Sequence, residues 1–145
     1  MSSEAPKVHL SRRYRFAASH RLYSESFSDE KNFEVFGKCA NPNGHGHNYE
    51  LWVTVEGEVD PVTGMVTDLD GLDDVVRRHV LERYDHRHLN LDTEDFLQSP
   101  PTGENIVRRI WELLWGKIPG VKLQRLQLVE TRDNHFEYYG DEHPA

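Results

Sequence analysis

The chain carries a single cysteine, Cys39, in 145 residues. No internal disulfide can form, and the reducing cytoplasm is the default compartment, where a lone thiol stays free. Basic residues are also in deficit: 17 Lys and Arg against 25 Asp and Glu leave a formal charge of −8. That balance argues against a general nucleic-acid or membrane-surface binder, which needs a basic stripe to meet phosphates. No signal peptide, long apolar run, internal repeat or low-complexity tract is visible, so no membrane span is expected. What remains, 37% hydrophobic and 29% charged residues, describes one soluble globular domain over residues 1–145. Its mean hydropathy of −0.74 lies on the polar side, so part of the core is expected to be shared between subunits.

The small polar stretch MSSEAPK, residues 1–7, is expected to fray. Val8, Leu10, Tyr14, Phe16 and Ala18 then recur at even positions between Ser11, Arg13 and Arg15, the period-two pattern of a half-buried strand, with His20 in phase. Residues 21–46, rich in Ser, Asn, Gly and charge, read as a long loop, of a length that is usually either functional or disordered, with a turn at Asn41-Pro42-Asn43-Gly44. Tyr49, Leu51, Val53 and Val55 mark a second strand, with His45 and His47 on the same parity. Helical spacing over about 69–84 predicts an amphipathic helix capped by Asp68 or Asp70. A second helix starts at the N-cap Thr102, with Glu104 beside the helix dipole and Ile106, Ile110, Leu113 and Leu114 as its apolar stripe, and stops at Pro119-Gly120. Leu123 to Arg132 and Phe136 to Tyr139 read as a strand pair joined at Asp133-Asn134. The order strand, strand, helix, helix, strand, strand predicts an α+β domain: a four-stranded antiparallel sheet with two helices packed on one face.

Pairing of the first two strands would bring His20, His45 and His47 together, because the i, i+2 spacing of the last two puts both rings on one side of the chain. Three imidazoles and a vacant position describe a catalytic rather than a structural zinc site; the other reading is partly buried or surface histidines. Cys39 is either a base activated beside a cation or a small buried hydrophobe. Asp85 beside His86 is either an acid that orients an imidazole for proton transfer or a solvated helix end. Glu130 continues the parity of Leu126 and Leu128 into a buried position and so needs a partner, either an Arg of the sheet or the paired N–H donors of an amino-pyrimidine edge.

The segments FAASH, GKCANPNGHGHNY, VDPVTGMV, DHRHLN, PTGEN and LVET, in this order over most of the chain, resemble the 6-pyruvoyl-tetrahydropterin synthase family. The resemblance implies a tunnelling fold (T-fold) assembled as a homohexamer, a dimer of trimers, with active sites at subunit boundaries. It implies Zn2+ held by His20, His45 and His47, Cys39 as the base for a side-chain proton, and Asp85 with His86 as a relay from a neighbouring subunit. Glu130 would anchor the pterin ring, with Thr102 nearby. The implied activity is a carbon–oxygen lyase acting on 7,8-dihydroneopterin triphosphate, giving 6-pyruvoyl-tetrahydropterin and triphosphate, as in tetrahydrobiopterin biosynthesis. Arg12, Arg13, Arg15, Arg21 and Lys38 are the basic candidates for the triphosphate. His88 and Gly103 depart from the family pattern without touching these roles.

Three other readings remain open on the sequence. The 6-carboxy-tetrahydropterin synthase of the queuosine pathway resembles the same site; the six-residue interval from Cys39 to His45 is similar to the pyruvoyl-forming branch. A zinc-stabilised binding module without turnover would need a fourth protein ligand, for which Cys39 is available. A plain oligomeric scaffold would use Trp111 and Trp115 as an interface, although tryptophan on a helix stripe is more often core.

Overall fold

The computed structural model describes residues 6–140. Its elements run β1 (Lys7–His20), α1 (Asp29–Phe36), a 3-10 turn (Gly37–Ala40), β2 (His45–Glu58), α2 (Leu69–Val76), a π turn (Arg77–Leu81), α3 (Glu82–Tyr84), β3 (Arg87–His88), α4 (Gly103–Leu114), β4 (Lys122–Thr131) and β5 (Asn134–Tyr138). The sheet has five strands in the order β3-β1-β2-β4-β5. The four long strands are antiparallel as expected, whereas β3 runs parallel to β1 through Ala18 and Ser19. The expected four-stranded antiparallel sheet is thus a mixed five-stranded one. Two residues are too few to show a period, which is why β3 has no signature in the sequence.

Parity decides where the core lies. The β1–β2 register sets Tyr14 opposite Leu51, Phe16 opposite Tyr49, Ala18 opposite His47 and His20 opposite His45. Even positions of β1 and odd positions of β2 therefore share the face on which the helices pack. Leu126 and Leu128 of β4 extend that face, and Leu72, Val76, Val80, Tyr84, Ile106, Ile110 and Leu114 cover it. Each such side chain, removed from water, contributes about 1.5–3 kcal/mol. Phe16 stacks on Tyr49 at 5.0 Å between centroids. Along this one face the stripe passes from aliphatic to aromatic to imidazole, so the histidines close the end of the core.

The helix expected near 69–84 is a continuous rod in which α2 and α3 flank the π turn. The Asp68 carboxylate caps it by accepting from the Asp70 amide at 3.2 Å. Arg12 of β1 ties this rod to the sheet with a bidentate ion pair to Asp73 (2.6 and 3.0 Å), which Tyr14 joins through its hydroxyl at 2.7 Å. In α4 the expected cap is present: Thr102 Oγ1 accepts from the Asn105 amide at 3.2 Å. This helix ends at Leu114 rather than at Pro119-Gly120, because Gly116 already takes a left-handed φ of 76°.

Three further expectations are corrected. The loop proposed for 21–46 contains α1, capped by Ser28, and the 3-10 turn; Asn32 is the buried residue of α1 while Phe33 and Val35 face outward, so no apolar stripe announces it. The final hairpin turns at Arg132-Asp133, with Asn134 already in β5. Fraying was expected for residues 1–7, of which 1–5 lie outside the described residues, but Lys7 is paired with Glu58 in β1.

Candidate metal centre

His20 ends β1 and His45 begins β2, as a directly opposed pair, and His47 follows two residues on. The ligand nitrogens of the three rings lie within 4.8 Å of one another. His20, 1% exposed, donates from Nδ1 to the Pro101 carbonyl at 2.8 Å. That bond fixes the tautomer, so Nε2 carries the lone pair, aimed at His45 Nε2 3.1 Å away. Burial lowers the His20 pKa to about 4 against the opposing pull of the Pro101 bond, and burial with the nearby His47 lowers that of His45. Three imidazoles with ligand nitrogens this close together, one of them oriented from behind by a carbonyl, fit a divalent transition metal.

Cys39 lies on the 3-10 turn. Its carbonyl accepts from the Leu22 amide at 2.8 Å, and Arg21 Nε donates to the next carbonyl, that of Ala40, at 3.0 Å. Asn90 holds both backbone groups of Arg21, at 2.7 and 2.9 Å. The thiol is half-buried and outside the three-histidine group. Its pKa is raised, first by burial and then by the negative charge of Glu130. The same Glu130 charge acts on His20, His45 and Tyr49 as well, so the carboxylate lies in the electrostatic neighbourhood of the centre.

Glu130 is half-buried, not buried as its parity predicts, because the β4–β5 register slips between Val129 and Thr131 and leaves it in a bulge. Its hydrogen-bond partner among the described residues is the Asn134 side-chain amide at 3.3 Å, and not an arginine. Thr102 adjoins Pro101, the residue that orients His20, so the start of α4 belongs to the neighbourhood of the centre.

Asp85 and His86 form their expected pair at the β1 edge. Asp85 Oδ1 accepts from the Ala17 amide at 2.8 Å and stands 3.1 Å from His86 Nδ1. His86 has a φ of 61°, a left-handed backbone that costs a non-glycine residue about 1–2 kcal/mol. Its side chain is 83% exposed, and it is not one of the three clustered histidines. A shallow depression of about 470 Å³ joins it to Ser19, His47, Arg87 and Asp92.

The basic candidates have separate fates. Arg12 is committed to Asp73, Arg13 lies 3.7 Å from Glu50 and over Trp52, and Arg21 is bound to Ala40 and packed on Tyr23. Arg15 lines a depression that includes Asp85 and Glu50, while Lys38 is exposed next to Cys39. Sequence reasoning missed the Pro101 carbonyl, Asn90 and Asn134, which act through backbone groups or amides and leave no periodic mark. It also missed why position 44 is glycine: φ is 74°, and a Cβ there would meet the His20 carbonyl oxygen at 2.9 Å and His88 Nε2 at 3.0 Å.

Residues 9–141 match the family model described as 6-pyruvoyl tetrahydropterin synthase. The chain belongs to this family. It is 44% identical over 135 residues to the Homo sapiens 6-pyruvoyl tetrahydrobiopterin synthase, covering 93% of each chain. With the Drosophila melanogaster enzyme of the same name the identity is 40% over 139 residues, covering 95% of this chain and 83% of the other. The solved structure of Caenorhabditis elegans 6-pyruvoyl tetrahydropterin synthase is similar at a TM-score of 0.88 and 42% identity, over 94% of this chain and 98% of that one. Membership in the 6-pyruvoyl tetrahydropterin synthase family makes the α+β architecture found here a T-fold.

Proposed function

We propose that this member of the family is a zinc-dependent lyase that converts 7,8-dihydroneopterin triphosphate to 6-pyruvoyl-tetrahydropterin with elimination of triphosphate. The observation that carries this reading is a cage of three imidazoles with no fourth ligand group clustered with them among the described residues, beside a half-buried thiol and a carboxylate. His20, His45 and His47 would hold Zn2+, which would supply polarisation of the substrate's side-chain hydroxyls. Glu130 accepts the two parallel N–H donors of the amino-pyrimidine edge, and the Thr102 hydroxyl, which still has a proton to donate, borders the same ring.

Cys39 Sγ takes a proton from the carbon side chain. Burial and Glu130 oppose the thiolate, so Cys39 depends on local positive charge for its basicity. His86, steadied by Asp85, returns a proton elsewhere on the side chain, so base and acid are separate groups in separate surroundings. Because His86 is exposed and is not one of the clustered histidines of its own chain, it is free to serve the centre of a neighbouring subunit in a homohexamer. The outward Phe33 and Val35 of α1 suit burial in such an assembly. Lys38, exposed next to Cys39, offers charge to the triphosphate. Among the described residues no helix is long and apolar enough to cross a membrane, and the cytoplasm is the proposed site of action.

The deciding experiment incubates zinc-loaded protein with 7,8-dihydroneopterin triphosphate and identifies the product by mass. A three-carbon dicarbonyl side chain is expected. A carboxylate with released acetaldehyde would reassign the chain to the 6-carboxy-tetrahydropterin reaction, and the absence of turnover would leave a metal-stapled binding module.

A further inference from the structure

The left-handed backbone at His86 persists only where the chain is fixed on both sides of it. Downstream the fixing is plain: the Leu89 amide donates to the Ser19 carbonyl at 2.8 Å, and the His88 amide to Asp92 at 2.7 Å. Upstream the anchor is Asp95, a carboxylate whose side chain is only 3% exposed. Arg83 donates to both of its oxygens at 2.5 Å, the Tyr84 hydroxyl donates at 2.6 Å, and Arg109 of α4 reaches it at 3.2 Å.

Arg83 and Tyr84 are the two residues directly before Asp85. A single buried carboxylate therefore holds the last turn of the α2–α3 rod against α4, at the point from which the Asp85–His86 pair projects. We propose that Asp95 is a positioning residue for the reaction: by clamping Arg83 and Tyr84 it fixes the upstream end of the strained segment and so sets where the His86 imidazole stands.

Burial works against the Asp95 charge, but Arg83, Tyr84 and Arg109 outweigh it and keep the carboxyl well below the ordinary carboxylate range. A group that stays ionised at every working pH carries no proton, which separates positioning from direct acid–base work. The inference rests on the proposed function only in taking His86 as the proton donor.

The test is a double-mutant cycle on zinc-loaded protein. Asp95→Asn lowers kcat about tenfold with KM and zinc content unchanged, and lowers it no further in the His86→Ala background, where no placed ring is left to lose. Equal fractional losses in both backgrounds, or a loss that falls on KM or zinc, overturn the proposal. If Asp95→Asn does not fold, Tyr84→Phe, which deletes one hydroxyl and no charge, carries the same cycle with about a threefold loss.

Amide hydrogen exchange reads the placement without turnover. The His86 amide donates to the Ala17 carbonyl at 2.6 Å and the Ala17 amide to Asp85 at 2.8 Å. Both exchange faster in Asp95→Asn, while the amides of Leu51 and Leu128 keep their rates. Unchanged exchange at Ala17 and His86 refutes the role given to Asp95; a wild-type protein that binds zinc and forms no pyruvoyl product refutes the functional reading instead.

Discussion

The Nε2 atoms of His20 and His45 stand 3.1 Å apart, and the proton of His20 is committed on its other nitrogen to the Pro101 carbonyl. The facing lone pair is best satisfied by a cation shared with His47. Removing metal with a strong chelator should therefore lower the urea midpoint, and zinc should restore it. At a free metal concentration a thousand times Kd the difference is about 4 kcal/mol. His45→Ala should abolish it, and a midpoint indifferent to chelator would reject the cage as a metal site.

Replacing Cys39 tests the division between holding metal and moving a proton. Cys39→Ala should retain zinc and the unfolding midpoint of the wild type while turnover drops by a factor on the order of 10²–10⁴. The cobalt-substituted wild type should show no sulfur-to-metal absorption, since the thiol lies outside the ligand group. Such a band would instead support Cys39 as the fourth ligand of a structural site.

Acid should weaken the metal-free protein in a defined window. His20 has its pKa lowered from 6.5 to about 4 in the folded chain. Between those values the unfolded chain binds a proton that the folded one refuses, so stability falls as pH drops through 6.5 and levels off below about 4. At pH about 5.5 the loss from this one ring is on the order of 1 kcal/mol. Urea titrations of chelated protein at neutral pH and at pH about 5.5 measure it; equal stabilities would contradict the buried neutral ring.

Gly103 sits where a Cβ would come within 1.9 Å of Phe136 Cε2. Gly103→Ala should destabilise the protein by about 1–3 kcal/mol through overpacking at the start of α4. Adding Phe136→Leu should recover part of the loss, because the second change opens the space the first one fills. Additive losses, measured by thermal or urea unfolding of the four variants, would show that the contact is not the cause.

Where the sequence carries a period, the structure follows it. Even parity in β1 and odd parity in β2 locate the shared face and, at its end, His20, His45 and His47; Thr102 is the cap its position predicts. Legibility ends where the period does. The 3-10 turn under Cys39, the two-residue β3 and the bulge at Glu130 are set by long-range hydrogen bonds, from Leu22, Ser19 and the β5 register, that no local pattern encodes. Helix α1 escaped because it is inverted, with Asn32 turned inward to bond Ser24 and Phe33 turned out. The Asp85–His86 contact was legible as a pair of residue types, but the positive φ that accompanies it was not.

The direct opposition of His20 and His45 also bears on how such an enzyme can change over time. Everything from Arg21 to Gly44, including the thiol, leaves and re-enters the sheet at two adjacent points that are already stitched together. Because the register of the imidazole cage is set by the two strands, a change in the length or the reactive side chain of residues 21–43 would leave the three rings in place, and the proton chemistry would be free to diverge from the cage that serves it.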